Sequence, residues 1–180
     1  MASPRDERND GRNTQISKTK YESLPNTASK FGAIRVYGVG SYGVVQSMKD
    51  DVRIVEKKIL ELGSDRDYLS GSKETAILAH LKRMDPERKF TPRLLGATFK
   101  NNVVVSITMT NEGCDRQTLR YGHGIIPCVR TLALHLCKAL TFLAKSGVMH
   151  NDITPKNVTY SRVDNHFRLV DFGSAEFCDR

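Results

Sequence analysis

The sequence has no apolar run long enough to cross a membrane. Its densest apolar stretch extends from Val103 to Ile107, which is the length of a strand, whereas a membrane helix needs about 20 residues. The N-terminal stretch MASPRDERNDGRN also lacks the apolar segment of a secretory signal. The sequence therefore predicts a soluble, intracellular protein of the cytoplasm or nucleus, without a membrane partner.

Paired cysteines and long runs of basic charge are also missing. The cysteines show no C-x-x-C pair and no metal-finger spacing, so they are expected to be reduced thiols. The net charge of +8 favours anionic partners, but the 28 basic residues are spread along the chain with no run of five. No aromatic residues are interleaved with them, so nucleic acid is not an expected partner.

The texture of the sequence changes at residue 31. Residues 1–30 are polar and lack periodicity, so they are expected to form a flexible tail. Residues 31–180 show strand and helix patterns in an order typical of an α+β domain. The expected strands are 33–37, 44–45, 52–60, 94–95, 103–109, a short one at Val158, and 167–170. The expected helices are one from Ser72 to just before Pro86, and one over 128–145 that ends before Gly147.

A glycine cluster of the form G-x-G-x-x-G-x-V consists of Gly38, Val39, Gly40, Ser41, Tyr42, Gly43, Val44 and Val45. Glycines allow positive φ angles and let backbone N–H groups approach phosphate oxygens closely. A dinucleotide-binding fingerprint would need a helix to begin inside the cluster, but Val44 and Val45 lead into a strand-like segment. The cluster therefore favours a β-hairpin flap over a nucleotide.

A lysine on the strand after such a flap can hold nucleotide phosphates. Strand alternation places Val55 and Lys57 on one face of the strand, and Glu56 and Lys58 on the other. Lys57 is therefore predicted to face the nucleotide. The alternative is that both lysines are solvated.

Glu74 shares a helix face with apolar residues, which are Ile77, Leu78, Leu81 and Met84. A carboxylate on a face that packs inward needs a cationic partner, because an unpaired buried charge is costly. Lys57 is the predicted partner. The alternative is that Glu74 lies at the helix N-terminus for its favourable interaction with the helix dipole.

Two further motifs carry oxygen ligands, the stretch HNDITPKNV over residues 150–158 and D-F-G over residues 171–173. Asn157 and Asp171 are 14 residues apart, which is one short hairpin, so their oxygens can converge on one Mg²⁺. Asp152 lies five residues before Asn157 and is placed to orient a hydroxyl nucleophile and accept its proton.

Together, in order and spacing, these motifs resemble the signature set of the protein kinases. The match spans residues 34 to 173, and Leu132 to Val148 resembles the long helix that precedes the catalytic loop. The resemblance implies an N-lobe over about 31–111, with an antiparallel sheet and one helix. It also implies the beginning of a helical C-lobe over about 112–180.

The resemblance further implies ATP and Mg²⁺ as cofactors, and serine or threonine of protein substrates as the phosphoryl acceptor. The glycine cluster would cover ATP, while Lys57 contacts its phosphates and Glu74 holds Lys57. Asp152 would be the catalytic base, with Asn157 and Asp171 as Mg²⁺ ligands.

Three other positions receive roles by the same resemblance. The stretch from Thr108 to Asn111 would be the hinge beside adenine, and Asp115 would reach the ribose. His150 would be structural rather than chemical.

The sequence departs from the family pattern in three places. Asn151 replaces the arginine of H-R-D, and Thr154 replaces the lysine that usually follows the aspartate by two residues, with Lys156 close by. The chain also ends at Arg180, soon after D-F-G, so the catalytic domain is expected to be incomplete.

These departures leave two alternatives open. One is a truncated, non-enzymatic kinase-like module that binds nucleotide or a partner kinase. The other is a kinase of small molecules, similar to choline or aminoglycoside kinases, because such enzymes also use H-N-D. Within the protein kinases, the stretches 152–155 and 168–174 resemble herpesvirus-encoded serine/threonine kinases, which would imply the nucleus of a host cell.

Overall fold

A computed structural model describes residues 34–40, 43–49, 51–59, 65–115 and 129–178. The expected tail over residues 1–30 lies outside these ranges, as do Ser41 and Tyr42 of the glycine cluster. The described elements are, in order, β1 (Val36–Gly40), β2 (Gly43–Ser47), β3 (Ile54–Ile59), α1 (Asp65–Met84), β4 (Leu94–Lys100), β5 (Val103–Thr110), β6 (Cys114–Asp115), α2 (Val129–Lys145), β7 (Val148–Met149), a 3-10 turn (Pro155–Asn157), β8 (Val158–Ser161), β9 (His166–Leu169) and β10 (Glu176–Phe177). The expected α+β class is confirmed.

The first half of the described chain is a five-stranded antiparallel sheet in the order β1-β2-β3-β5-β4. Lys57 lies in the middle of this sheet, where it pairs with Val45 of β2 and Ile107 of β5. On one face the sheet packs against α1, through the fully buried side chains of Ile77 and Leu78. A side chain on the inner face of β3 therefore projects towards α1.

Helix α1 begins at Asp65, seven residues before the expected start at Ser72. The sequence has an earlier start signal, because Ser64 and Asp65 are residue types that favour helix N-termini. Leu81 is buried as expected, but Met84 is half exposed, so the prediction that it belongs to the inward face is wrong.

The second half of the described chain centres on α2, which packs against β9. Strands β6, β8 and β9 form a three-stranded sheet, and β10 pairs with β7. The helix buries Leu132, Ala139 and Leu143, whereas Leu140 is exposed. The helix ends as predicted, because Gly147 has a φ of 66° and donates a hydrogen bond to the carbonyl of Ala144.

The remaining strand predictions are correct in type but shifted at their ends. The strand expected over 33–37 is Val36–Gly40, so β1 contains the first glycines of the cluster. The strand expected from residue 52 begins at Ile54, and the last predicted strand is His166–Leu169. Neither helix in the described residues is long and apolar enough to cross a bilayer.

Candidate active site

The inner face of β3 places Lys57 against the Glu74 side chain of α1. The Lys57 Nζ atom lies 2.7 Å from Glu74 Oε2, and both residues are buried. The predicted pairing is confirmed, and Lys57 lies on the inner side of the strand whereas Lys58 is exposed; that Lys57 faces the nucleotide stays a prediction. Burial raises the pKa of the Glu74 carboxyl against the opposing effect of Lys57. Burial alone would lower the pKa of Lys57, but the nearby carboxylates hold it above its usual range.

Asp171 approaches the same ammonium from the other half of the chain. Its Oδ1 atom lies 2.6 Å from Lys57 Nζ, so one lysine joins two carboxylates. Burial favours protonation of Asp171, but the Lys57 charge and hydrogen bond outweigh it and lower the pKa. Asp171 has a φ of 63°, a left-handed conformation that aspartate tolerates better than most residues do. This turn aims the carboxylate away from β9 and towards β3.

Asn157 holds the carboxylate of Asp152. Its Nδ2 atom donates to Asp152 Oδ2 over 2.8 Å and to the Asp152 carbonyl over 3.0 Å. The 3-10 turn Pro155–Asn157 creates this geometry, since it folds the chain back within five residues. The amide nitrogen of the side chain is thereby committed, and its Oδ1 atom remains for a metal ion.

Asn157 and Asp171 are brought together by the backbone. The Val170 N–H group, adjacent to Asp171, donates to the Asn157 carbonyl over 2.9 Å. Carboxylate and amide oxygens are hard ligands that suit Mg²⁺. The residues present therefore fit the cation that the sequence predicted.

His150 connects the loop to the strand end. Its Nδ1 atom accepts the Asp152 N–H over 3.3 Å, which leaves a proton on Nε2 to donate to the Val170 carbonyl over 3.0 Å. The ring also contacts Phe172, with 4.8 Å between centroids. Burial lowers the pKa of His150, which favours this neutral tautomer. The contacts are those of a structural residue.

The segment after D-F-G contacts both halves of the chain, which sequence reasoning did not predict. Asn151 has a φ of 62°, and its side-chain amide donates to the Ser174 carbonyl over 3.2 Å. Lys73 of α1 pairs with Glu176 of β10 over 2.9 Å. These contacts place β10 beside the helix that carries Glu74, and no motif in the sequence indicates them.

The glycine cluster forms the two strands of a hairpin, as the flap prediction requires. Gly38 to Gly40 end β1, and Gly43 to Val45 begin β2. The explanation by positive φ is wrong for Gly38 and Gly43, because neither adopts a left-handed conformation. Gly43 is needed for space instead, since a Cβ there would lie 2.3 Å from the Lys58 carbonyl oxygen.

The predicted hinge is mostly strand. Thr108 to Thr110 belong to β5, and only Asn111 lies in the connection that runs through Glu112 and Gly113 to β6. Asp115 is in β6, opposite Thr159, but its side chain lies outside what the structure describes, so its contact with ribose stays a prediction.

Glu112 is a buried residue that the sequence analysis missed. Its Oε2 atom lies 3.3 Å from Nε of Arg168, and both side chains are almost fully buried. The guanidinium also donates to the Arg88 carbonyl over 3.1 Å. A glutamate before a glycine in a polar connection has no sequence pattern that indicates burial.

The sheet with one helix, together with the two carboxylates that meet Lys57, defines a phosphotransferase fold of the kinase type. A family model described as the protein kinase domain matches residues 31–180. The chain therefore belongs to the protein kinase family.

Individual relatives are distant. 3-phosphoinositide-dependent protein kinase 1 of Arabidopsis thaliana is 27% identical over 166 residues, which cover 88% of this chain and 32% of the relative. The human dual specificity protein kinase CLK1 is 23% identical over 177 residues, covering 84% and 36%. A probable dual specificity protein kinase, madd-3 of Caenorhabditis elegans, is 24% identical over 198 residues, covering 98% and 22%. The chain thus spans about a third or less of the length of these relatives.

Proposed function

We propose that this domain transfers the γ-phosphoryl group of Mg·ATP to a serine or threonine hydroxyl of a protein substrate. The observation that supports this best is the Lys57 ammonium, which contacts both Glu74 and Asp171. A cation fixed in this way can neutralise phosphate oxygens without moving, and phosphoryl transfer depends chiefly on such positioned charges.

Asp152 is the proposed catalytic base. The hydrogen bond from Asn157 holds its Oδ2 atom, so the other carboxylate oxygen can orient the acceptor hydroxyl and take its proton. His150 Nδ1 accepts the backbone N–H of Asp152, which fixes the backbone from which the Asp152 side chain projects. The base is therefore positioned before substrate binds.

Asn157 and Asp171 are the proposed Mg²⁺ ligands. When bound, the cation would supply charge neutralisation at the phosphate oxygens. Asp171 stays ionised because Lys57 lowers its pKa, and an ionised carboxylate is the form that binds a metal. The flap residues 38–45 would cover the phosphates.

Serine or threonine, rather than tyrosine, is the finer part of the proposal. One relative is named a 3-phosphoinositide-dependent protein kinase, while two are named dual specificity protein kinases. Transfer assays with matched peptides that differ only in Ser, Thr or Tyr at one position decide between these. Transfer to tyrosine at a comparable rate would contradict the serine/threonine assignment.

The first test is thermal melting of the 180-residue chain with and without Mg·ATP, beside Asp171→Asn and the control Asp51→Asn. Asp51 pairs with Arg53 between β2 and β3, where it takes no part in the proposed site. Ligand at about 100 times its dissociation constant adds about 2.7 kcal/mol, a shift of roughly 5–10 °C. We expect the shift in the unaltered chain and the control only.

A transfer assay completes the test. Asp152→Asn should abolish phosphoryl transfer while keeping the nucleotide-dependent shift, because the base does not hold the nucleotide. A rise in melting temperature with Mg·ATP, but no phosphoryl transfer by this chain or by longer or shorter versions of it, would favour the non-enzymatic regulatory module. Transfer to amino alcohols or aminoglycosides, but not to protein, would favour the small-molecule kinase.

A further inference from the structure

Strand β1 contains a bulge at the residue just before the first glycine of the flap. Val36 pairs with Gln46 and Gly38 pairs with Val45, so Tyr37 is an extra residue with no partner opposite it. A bulge turns a side chain away from the regular alternation of its strand, and bulges are common beside active sites. The phenol of Tyr37 is half buried and packs against the hydrophobic core.

The Tyr37 hydroxyl reaches the connection after β5. Its oxygen accepts a hydrogen bond from Asn111 Nδ2 over 3.1 Å. The same nitrogen donates to the Val52 carbonyl over 2.7 Å, and the Asn111 backbone N–H donates to the Arg53 carbonyl over 2.8 Å. Asn111 Oδ1 accepts the Gly113 N–H over 3.0 Å. Asn111 is thus held from several sides and is a fixed anchor.

The tie to Asn111 matters because β1 is an edge strand. Its neighbour within the sheet is β2 alone, whereas Asn111 belongs to the connection beyond β5, on the far side of β3. The Arg35 guanidinium lies 5.5 Å from the centre of the Tyr37 ring, at a distance where cation–π attraction restrains the ring. The phenol therefore links the flap strand β1 to the connection that follows β5.

We propose that Tyr37 is a positioning residue for the nucleotide, and that its bond to Asn111 fixes the flap strand above the site before ATP binds. This inference rests on the proposed function, in which the flap covers Mg·ATP. A flap held in place loses less conformational freedom when the ligand arrives, so binding is tighter. Tyr37 does not itself contribute to the chemical step.

The variant Tyr37→Phe removes only the hydroxyl and keeps the ring beside Arg35. One neutral hydrogen bond corresponds to about a three- to tenfold change in an equilibrium constant. We expect the dissociation constant and KM for Mg·ATP to rise by that factor, with kcat at saturating nucleotide unchanged. Isothermal titration and initial-rate kinetics measure these values.

Tyr160→Phe is a matched control. The Tyr160 hydroxyl also bonds an asparagine, Asn165, but in the β8–β9 hairpin. It should leave nucleotide affinity unchanged. Equal effects of the two variants, or a fall in kcat without a change in KM for Tyr37→Phe, would overturn the positioning role.

Hydrogen exchange tests the effect of the Tyr37–Asn111 hydrogen bond on β1 without nucleotide. In Tyr37→Phe the amides of β1 should exchange faster than in the unaltered protein, while those of β4, the opposite edge strand, should not change. Unchanged exchange in β1 would show that the Tyr37–Asn111 bond does not fix this strand, whatever the affinity and rate measurements give. Failure of the unaltered protein to bind Mg·ATP would instead overturn the proposed function, and with it the role of the Tyr37–Asn111 bond in nucleotide binding.

Discussion

Two histidines form a stacked pair between α2 and the β8–β9 hairpin. The rings of His135 and His166 lie 3.8 Å apart, inclined by 20°. His135 Nδ1 accepts the Phe167 N–H over 3.2 Å, which requires that nitrogen to be unprotonated. Burial lowers the pKa of both histidines, and the positive charges of Lys138 and Arg168 act in the same direction against the single carboxylate of Asp164. The contact therefore depends on neutral rings.

We predict that the free energy of unfolding falls as the pH drops below about 6.5, the usual histidine pKa. The pKa values of His135, His150 and His166 are lowered in the folded state, so at these three residues the unfolded chain binds more protons in this range. Each histidine adds a slope of at most about 1.4 kcal/mol per pH unit. Urea titrations between pH 8 and pH 5 measure the effect.

The variant His166→Gln separates the contribution of the His135–His166 pair to the pH dependence of stability from that of the acidic residues. This variant keeps a polar side chain of similar reach but cannot be protonated. Its stability should depend less steeply on pH than that of the unaltered chain. Identical slopes for the two proteins would show that protonation of the pair does not govern acid stability.

Within the flap hairpin, Gly38 and Gly43 differ in the space that surrounds them. A Cβ on Gly43 would collide with the backbone of β3, whereas a Cβ on Gly38 meets nothing within 4 Å. Strands β2 and β3 pair over Gly43 to Ser47, so the collision cannot be relieved by a side-chain rotation. Gly43, the third glycine of the cluster, is thus needed for the close pairing of β2 with β3, whether or not a phosphate binds.

We predict that Gly43→Ala lowers the free energy of unfolding by about 1–3 kcal/mol through overpacking. The matched variant Gly38→Ala should change it by no more than about 0.5 kcal/mol. Urea denaturation of both variants gives the comparison. A loss of stability for Gly38→Ala as large as that for Gly43→Ala would contradict the packing explanation.

Across the molecule, Arg168 joins two distant parts of the chain to its own hairpin. It pairs with Glu112 in the connection between β5 and β6, donates to the carbonyl of Arg88 after α1, and pairs with Asp164 in its own hairpin. Glu112 Oε2 has no hydrogen bond of good geometry among the described residues; the Arg168 guanidinium is its near cation, and Arg88 Nε lies 3.8 Å from the other carboxylate oxygen. The ion pair connects the large sheet to the three-stranded sheet.

We predict that Arg168→Gln destabilises the fold by about 3 kcal/mol, the lower end of the range for breaking a buried ion pair, because Glu112 then has only the partly exposed Arg88 guanidinium, at 3.8 Å. The double variant Arg168→Gln with Glu112→Gln removes both charges and should recover most of that loss. Chemical denaturation of the two single variants and the double variant measures the coupling. Additive losses would show that the two side chains do not act as a pair.

Much of the site follows from local patterns in the sequence. Strand alternation distinguishes Lys57 from Lys58, and the apolar face of α1 explains why Glu74 needs a partner. Contacts that depend on how separate elements meet do not follow from such patterns. The link from Tyr37 to Asn111 depends on a bulge, which no residue type in β1 signals.

The contacts of Lys57 also have a consequence for the order of folding. Its pair with Glu74 joins residues 17 apart in the sequence, whereas its pair with Asp171 joins residues 114 apart. Contacts between distant residues require a long loop to close, and they slow folding. Because synthesis delivers the N-terminal part first, a nascent chain can assemble the lysine–glutamate pair while Asp171 has yet to be made. The contact between Lys57 and Asp171 therefore forms only after the last described strands have been made and have docked, later than the pair between Lys57 and Glu74.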